Sequence, residues 1–458
     1  MSLKIAGNLL TKRTFLPLFV LFQAGTVNDN VLKNALIALV TYAGMVLFSD
    51  DLPRNGLVAI AALLFTLPFL ILCTIAGQIA DKVDRGVILK WIKRAEVLIM
   101  VVAAIGLFLQ NTYILALTLA LMGAQSAFFS PTKNAVLPQW LKDDELITAN
   151  GLMSGFQFFC ILLAMVLGIQ VVMTHFNKAT MGFDPDIFWI GPRLIAVILL
   201  VLAFIGWFAA ERVPTAPAPK PDLKIDWNPV TSIIGVLKTS FQHMPVFRPM
   251  LGIAWFYGFS NVMILVLPVF VADVLRYDET VLVMILVAST LSILIGSLLC
   301  LVLARGKEAM GLVLFGIIGV TLFTLDLYLN TEPSARTTLA GMEAFKADPQ
   351  TPRFLLAIMG SSICAGLYVV PLQAMAQRRS PVEVRARLMS AGAVLLNAAV
   401  NIVTFGLIGL SLSDKIGLPP MKPATPFLAV VIISSIVSVY AIRRFLQMRR
   451  ADAAKVPH

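Results

Sequence analysis

The sequence is poor in charge, in histidine and in cysteine, and each scarcity removes a class of function. Only 13% of its 458 residues are Asp, Glu, Lys or Arg, against about 25% in a soluble globular domain. Its 3 His and 4 Cys leave few soft metal ligands. Cys73, Cys160, Cys300 and Cys364 sit singly in apolar runs, without a Cys-x-x-Cys or Cys/His spacing. Neither a metal site, a disulfide framework nor a cofactor is expected. No Gly-x-x-x-x-Gly-Lys phosphate loop occurs, which argues against built-in ATP hydrolysis. The His-x-x-x-x-Asp arrangement of many glycerolipid acyltransferases does not follow His175, His243 or His458. A membrane-bound lipid-modifying enzyme is therefore the alternative from another class, and the expectation is no enzyme. A cleavable signal peptide is not expected either: the first apolar run is too long, is interrupted by polar residues and lacks a small-residue cleavage site.

What the sequence has instead is apolar length. It is 59% hydrophobic, with a mean hydropathy of +0.87. About 20 apolar residues cross a bilayer, and twelve such runs lie near 15–47, 57–80, 87–109, 112–131, 147–174, 187–210, 244–272, 280–304, 309–329, 353–376, 387–411 and 425–446. The fold class read from this is an all-α polytopic membrane protein with twelve transmembrane helices. The net charge of +11 follows from basic connections rather than from nucleic-acid binding. Of 36 Lys and Arg, 26 fall in the N-terminus, the even-numbered connections and the C-terminal tail, 9 in the odd-numbered connections, and one, Lys33, inside the first run. The basic side of a membrane protein is cytoplasmic, so both termini are expected there.

One stretch breaks the apolar rule. Gln23-Ala24-Gly25-Thr26-Val27-Asn28-Asp29-Asn30-Val31-Leu32-Lys33-Asn34 lies inside the first run. A charge near the bilayer centre costs about 2.5–3.5 kcal/mol on insertion scales and normally faces a protein interior or a water-filled cavity. Asp29 and Lys33 are one helical turn apart, so they can share a face and partly neutralise each other. Simple proton coupling through Asp29 is disfavoured on this reading, because a neighbouring Lys favours the charged carboxylate.

A Pro-rich segment, Val213-Pro-Thr-Ala-Pro-Ala-Pro-Lys-Pro-Asp222, divides the chain. The expected organisation is an N-terminal six-helix bundle over 1–210, a cytoplasmic linker over 211–243, extended and semi-rigid, and a C-terminal bundle with a short tail over 244–458. The halves echo one another. Phe128-Phe129-Ser130-Pro131-Thr132-Lys133 parallels Tyr368-Val369-Val370-Pro371-Leu372-Gln373, and Leu152-Met153-Ser154 parallels Leu388-Met389-Ser390. Pseudo-repeated bundles of this kind mark secondary transporters, whose substrate site lies at mid-membrane between the repeats.

Twelve helices, the 6+6 division and the loop Gly77-Gln78-Ile79-Ala80-Asp81-Lys82 between the second and third helices resemble the major facilitator superfamily. The resemblance implies that Gly77 lets helices approach and that Asp81 and Lys82 form a cytoplasmic gate. After Lys82 the sequence departs from the family pattern, with Val83-Asp84-Arg85-Gly86. More narrowly, Asn28-Asp29-Asn30, Ser130-Pro131-Thr132-Lys133, Ala149-Asn150-Gly151-Leu152-Met153 and Val370-Pro371-Leu372-Gln373 are similar to motifs of the bacterial lysophospholipid transporters. That resemblance implies an inner-membrane protein moving an amphiphilic lipid from the outer toward the cytoplasmic leaflet, with a separate acyltransferase as an implied partner. The expected substrate-binding or coupling residues are Asp29, Asn30, Lys33, Lys133, Asn150, Gln157, Gln373 and Asn397. Lys133 and Lys33 would meet a phosphate, and Asp29 an ammonium group or a lysine. Gly25, Gly151, Gly155 and Gly392 are expected to allow close helix approach or local bending. The alternative within transport is a proton-coupled exporter of drugs or small metabolites.

Overall fold

A computed structural model of the chain describes residues 2–45, 53–141, 143–174, 190–304, 310–330, 333–381, 385–413 and 424–453. It divides into two compact units, Met1–Gly235 and Val236–His458. The first unit holds α1 (Ser2–Thr11), α2 (Phe15–Tyr42), α3 (Arg54–Lys82), α4 (Arg85–Phe108), α5 (Thr112–Trp140), α6 (Asp143–Val172) and α7 (Ile190–Glu211). A short helix, α8 (Pro229–Phe241), runs across the division. The second unit holds α9 (Met244–Val269), which continues as a π-helical turn over Phe270–Val274, then α10 (Glu279–Ala304), α11 (Met310–Asn330), α12 (Met342–Ala347), α13 (Thr351–Arg378), α14 (Arg385–Ser411) and α15 (Thr425–Ala453).

Twelve of these are long helices, six before α8 and six after it. Among the described residues, 10 are long and apolar enough to cross a membrane on composition alone. The two that are not are α2 and α4, and both carry charge into the interior of the first unit. In that unit α2 packs on α6 and α7, α3 on α5, and α4 on α5 and α7. In the second, α13 packs on α9, α10 and α11, while α14 lies on α9 and α15 on α11. The halves repeat one close contact. A Cβ at Gly123 of α5 would stand 2.0 Å from the carbonyl oxygen of Phe65 on α3, and one at Gly296 of α10 equally close to that of Ile363 on α13. Small residues at such crossings let membrane helices approach backbone to backbone.

The connection between α3 and α4 has a tight structure. Asp84 caps α4 by accepting from the amides of Gly86 at 2.8 Å and Val87 at 3.2 Å, which satisfies two donors that a helix start leaves open. The same carboxylate accepts from the Ala216 amide at 3.0 Å. Arg85 is buried and donates to the Ala80 carbonyl at 2.9 Å and to Asp81 Oδ1 at 3.0 Å. Gly86 lies under the Pro-rich segment, where a Cβ would come within 2.3 Å of the Pro214 oxygen. The segment is held further by Arg85 N to Ala216 O at 2.9 Å, Lys220 N to Asp81 O at 2.9 Å and Trp140 Nε1 to Thr215 O at 3.1 Å. Asp226 N donates to Gln78 Oε1 at 2.8 Å. The first part of the linker is thus pinned along the first unit by hydrogen bonds, in addition to the local stiffness expected from its composition.

At the expected gate, a Cβ at Gly77 would meet nothing within 4 Å, and Asp81 pairs with Arg85 at 3.0 Å.

Candidate functional site

The polar stretch of α2 lies in the interior of the first unit. Asn28 is fully buried, and Asp29, Asn30 and Lys33 are half-buried. The centre of the site, however, is on α4. Lys93 and Glu96 form an ion pair at 2.6 Å with their side chains 1% and 2% exposed. Read from sequence, Lys93 counts among the basic residues of a connection. It is instead enclosed, because Gly25 of α2 leaves the space its ammonium occupies: a Cβ at Gly25 would stand 2.5 Å from Lys93 Nζ. Gly206 of α7 flanks the lysine stem, 3.4 Å from its Cδ to a Cβ there.

Glu96 gathers donors from three helices. Its Oε2 accepts from Lys93 Nζ and, at 3.0 Å, from Gln125 Nε2 of α5. Its Oε1 accepts from Asn28 Nδ2 of α2 at 3.4 Å. Ser126 then links the cluster to Asp29: its hydroxyl lies 3.1 Å from Asp29 Oδ2 and 3.4 Å from Gln125 Oε1. Among the described residues, the buried carbonyl oxygen of the Asn28 side chain has no hydrogen-bond partner. A buried charge is tolerable only when paired and hydrogen-bonded, and the pair meets that condition with side chains from α2, α4 and α5.

An aromatic path leads away from the pair. Lys93 Nζ is 5.1 Å from the Phe129 ring centroid. Phe129 stacks on Phe22 with centroids 5.9 Å apart, and Lys133 Nζ stands 3.7 Å from the Phe22 centroid. Two cations therefore flank a stacked phenylalanine pair, each within cation–π reach. Lys133 meets α2 at Phe22 rather than at Asp29. Asp29 and Lys33 make no ion pair among the described residues; Lys33 Nζ instead lies 5.9 Å from the Phe65 ring centroid of α3.

The remaining candidates divide by helix. Asn30 donates to the Thr26 carbonyl of its own helix at 2.8 Å, and Gln157 on α6 is half-buried. Asn150 lies on α6 with its side chain outside the described residues. In the second unit, Gln373 is half-buried on α13, and Asn397 on α14 donates to its own Ala393 carbonyl at 2.8 Å. A polar contact there that joins two helices, and that no local sequence pattern marks, is Asn261 Nδ2 of α9 donating to Thr404 Oγ1 of α14 at 3.0 Å. Among the described residues, no group of three or more His, Cys, Asp or Glu side chains gathers to hold a metal ion.

The sequence carries a signal for Lys93–Glu96. Glu96 opens the apolar run Val97–Leu109, and Gln125 interrupts the apolar face of α5. The arrangement as a whole sets fixed positive and negative groups beside aromatic surface in one helical bundle, which suits a ligand with a charged end and an apolar body.

Comparison with known proteins bears on both fold and chemistry. A sequence profile of the Major Facilitator Superfamily matches residues 34–345. The chain is 24% identical over 377 residues to the lysophospholipid transporter LplT of Klebsiella pneumoniae (strain 342), covering 81% of this chain and 83% of that one. It is 23% identical over 391 residues to LplT of Enterobacter sp. (strain 638), covering 84% and 86%. Among solved structures, it superposes on the nucleoside transporter NupG with a TM-score of 0.63 at 14% identity, over 94% of this chain and 100% of the other. A bacterial homologue of the iron transporter ferroportin, in an inward-facing state, gives 0.63 at 16% identity over 93% and 99%. At such identities the structural likeness shows the fold alone.

Proposed function

The chain belongs to the Major Facilitator Superfamily and is a multi-pass membrane transporter, and from that premise we propose that its substrate is a lysophospholipid. The proposed movement is from the outer toward the cytoplasmic leaflet of a bacterial inner membrane, by alternating access of the two halves. Both termini face the cytoplasm on this reading, and a separate acyltransferase would consume the product.

The observation that carries the proposal is the run of contacts from Lys133 through Phe22 and Phe129 to Lys93, Glu96 and Asp29. A lysophospholipid has a phosphate-bearing headgroup and one acyl chain. The half-buried Lys133 supplies a cation for the phosphate, Asp29 an anion for an ammonium group, and the phenylalanines apolar surface between them. The resemblance to transporters named for lysophospholipids, over about four-fifths of the chain, points the same way. The rival exporter reading needs a pH gradient to drive substrate outward.

Uptake of labelled lysophosphatidylethanolamine into proteoliposomes tests the proposal. Wild type is expected to accumulate the lipid, and Asp29→Asn and Lys133→Ala to lose at least about tenfold in uptake, the scale of one charge-assisted hydrogen bond. Absence of uptake by wild type removes the substrate assignment. Undiminished uptake by both variants removes the two residues from the mechanism.

A further inference from the structure

Two cavities lie side by side in the second unit, at the end that carries the segment 333–350. One, of about 430 Å³, is lined by polar groups that include Tyr277, Asn330, Ser334, Asp348 and Gln350. The other, of about 480 Å³, is a groove along α11 and α13, walled by Phe315, Ile318, Leu322, Phe323 and Leu356. Both volumes fall within the range of about 300–1,000 Å³ typical of ligand sites. The two share Asp326, Arg353 and Ala357 in their walls.

Exposed apolar side chains are ordinary on a helix that faces lipid. What distinguishes this groove is that it ends on an ion pair. Arg353 Nη2 donates to Asp326 Oδ1 at 2.6 Å and Nε to the same oxygen at 3.2 Å. The side chains are 58% and 31% exposed, so the pair is accessible as well as fixed. Asp326 is about one turn from the C-terminal end of α11, and Arg353 lies in the first turn of α13. The groove walls Phe315, Leu322 and Leu356 are 63%, 60% and 63% exposed.

We propose that this groove and the adjoining polar chamber form a binding site for a zwitterionic lipid of the surrounding leaflet. The acyl chain lies along α11 and α13. The phosphate meets the Arg353 guanidinium, whose planar fork matches phosphate oxygens, and the ammonium group meets Asp326. The polar chamber receives the rest of the headgroup. Charge complementarity selects this occupant: a fixed cation and anion side by side match a headgroup that carries one of each, at the mouth of an apolar channel. This site is formed by the second unit alone, apart from the cluster on α2, α4 and α5, and it stands whether or not the lipid is transported.

The test is photolabelling of the purified full chain in lipid nanodiscs with a lysophosphatidylethanolamine carrying a diazirine in its acyl chain, followed by peptide mapping. Label is expected on α11 and α13 around Leu322 and Leu356. Reversing the pair, as Asp326→Arg with Arg353→Asp, keeps an ion pair but misplaces both charges, and it should lower that labelling by about tenfold. Arg353→Gln provides a second variant if the reversed pair fails to fold, as judged by thermal melting, and the same loss is expected. Label absent from α11 and α13 overturns the proposal. So does equal labelling by a diazirine monoacylglycerol, which has no charged headgroup, or labelling unchanged in folded variants. Uptake measured on the same preparations separates the two proposals: groove labelling without uptake keeps the lipid site and removes the transport assignment.

Discussion

Replacing Glu96 by Gln isolates the energetics of the buried cluster. In the native protein Lys93 and Glu96 are almost completely enclosed, and Glu96 also accepts from Gln125 and Asn28. Glu96→Gln keeps size and shape but leaves the Lys93 ammonium in the interior without a counter-charge. Breaking a buried pair from one side costs about 3–5 kcal/mol, whereas replacing both partners with neutral groups of similar volume is close to neutral. For a unit of this size the single change corresponds to a fall in melting temperature of roughly 6–20 °C. The double variant Lys93→Met with Glu96→Gln should recover most of that loss, because the methionine chain fills the channel beside Gly25 and Gly206 without a charge. The assay is thermal melting of purified protein in one detergent, across wild type, both single variants and the double. If Glu96→Gln melts within about 2 °C of wild type, or the double variant is no better than the single, the pair is not what organises this cluster.

Gly25→Ala places a methyl group against Lys93 Nζ and should cost about 1–3 kcal/mol by overpacking, a penalty that vanishes in a Lys93→Ala background when the cycle is measured by thermal melting. Asp84→Ala removes the shared acceptor of the Gly86, Val87 and Ala216 amides; about 1 kcal/mol of cap stability should go, and limited proteolysis should cut near Ala216 sooner than in wild type. The segment after α11 should respond to pH in two opposite senses. The Asp348 carboxyl is held below its ordinary range by the Gln350 amide first, then by the Tyr277 hydroxyl and the Arg336 guanidinium. Stability from this group is complete above the ordinary carboxylate value and is lost as pH falls through the lower folded value. Burial first, and the bond to Asp348 second, raise the Tyr277 phenol, so its contribution holds below the ordinary tyrosine value and disappears as pH rises through the raised one. A spin label at the exposed Thr338 should therefore gain mobility at both extremes, and Tyr277→Phe should move the acid transition to higher pH. Mobility that is constant across the range rules out this fastening.

Much of the architecture was legible because membrane helices declare themselves by length and apolarity. The run at 15–47 became α2 over Phe15–Tyr42, and the run at 387–411 became α14 over Arg385–Ser411. The α2 polar stretch was legible for the same reason, since Asp29 and three Asn stand out against apolar neighbours. Lys93 and Glu96 were not. They sit toward the middle of α4 beside Lys90 and Arg94, where a cluster of basic residues reads as part of a cytoplasmic connection. Only the packing of α2, α5 and α7 around them shows which two of the four are enclosed. For the Pro-rich linker, composition gives local stiffness, but the hydrogen bonds that fasten it come from Gln78, Asp81 and Asp84, far away in sequence. The Asp326–Arg353 pair spans 27 positions and two helices, a separation at which no periodicity speaks.

The low apolarity of α2 and α4 has a consequence for how the chain is made. A translocation channel passes helices to lipid largely by hydrophobicity, and each Lys or Asp near a helix centre carries a penalty of about 2.5–3.5 kcal/mol on that scale. Alone in lipid, α4 would expose Lys93 and Glu96, and α2 would expose Asp29 and Lys33. Gly25 and Asn28 of α2 are set against Lys93 and Glu96 of α4, and Asp29 of α2 accepts from Ser126 of α5. The order of synthesis puts α2 first, so it must wait at the channel, or insert incompletely, until α4 and then α5 and α7 emerge. Nascent-chain insertion of α2 should accordingly depend on residues more than sixty positions downstream of it.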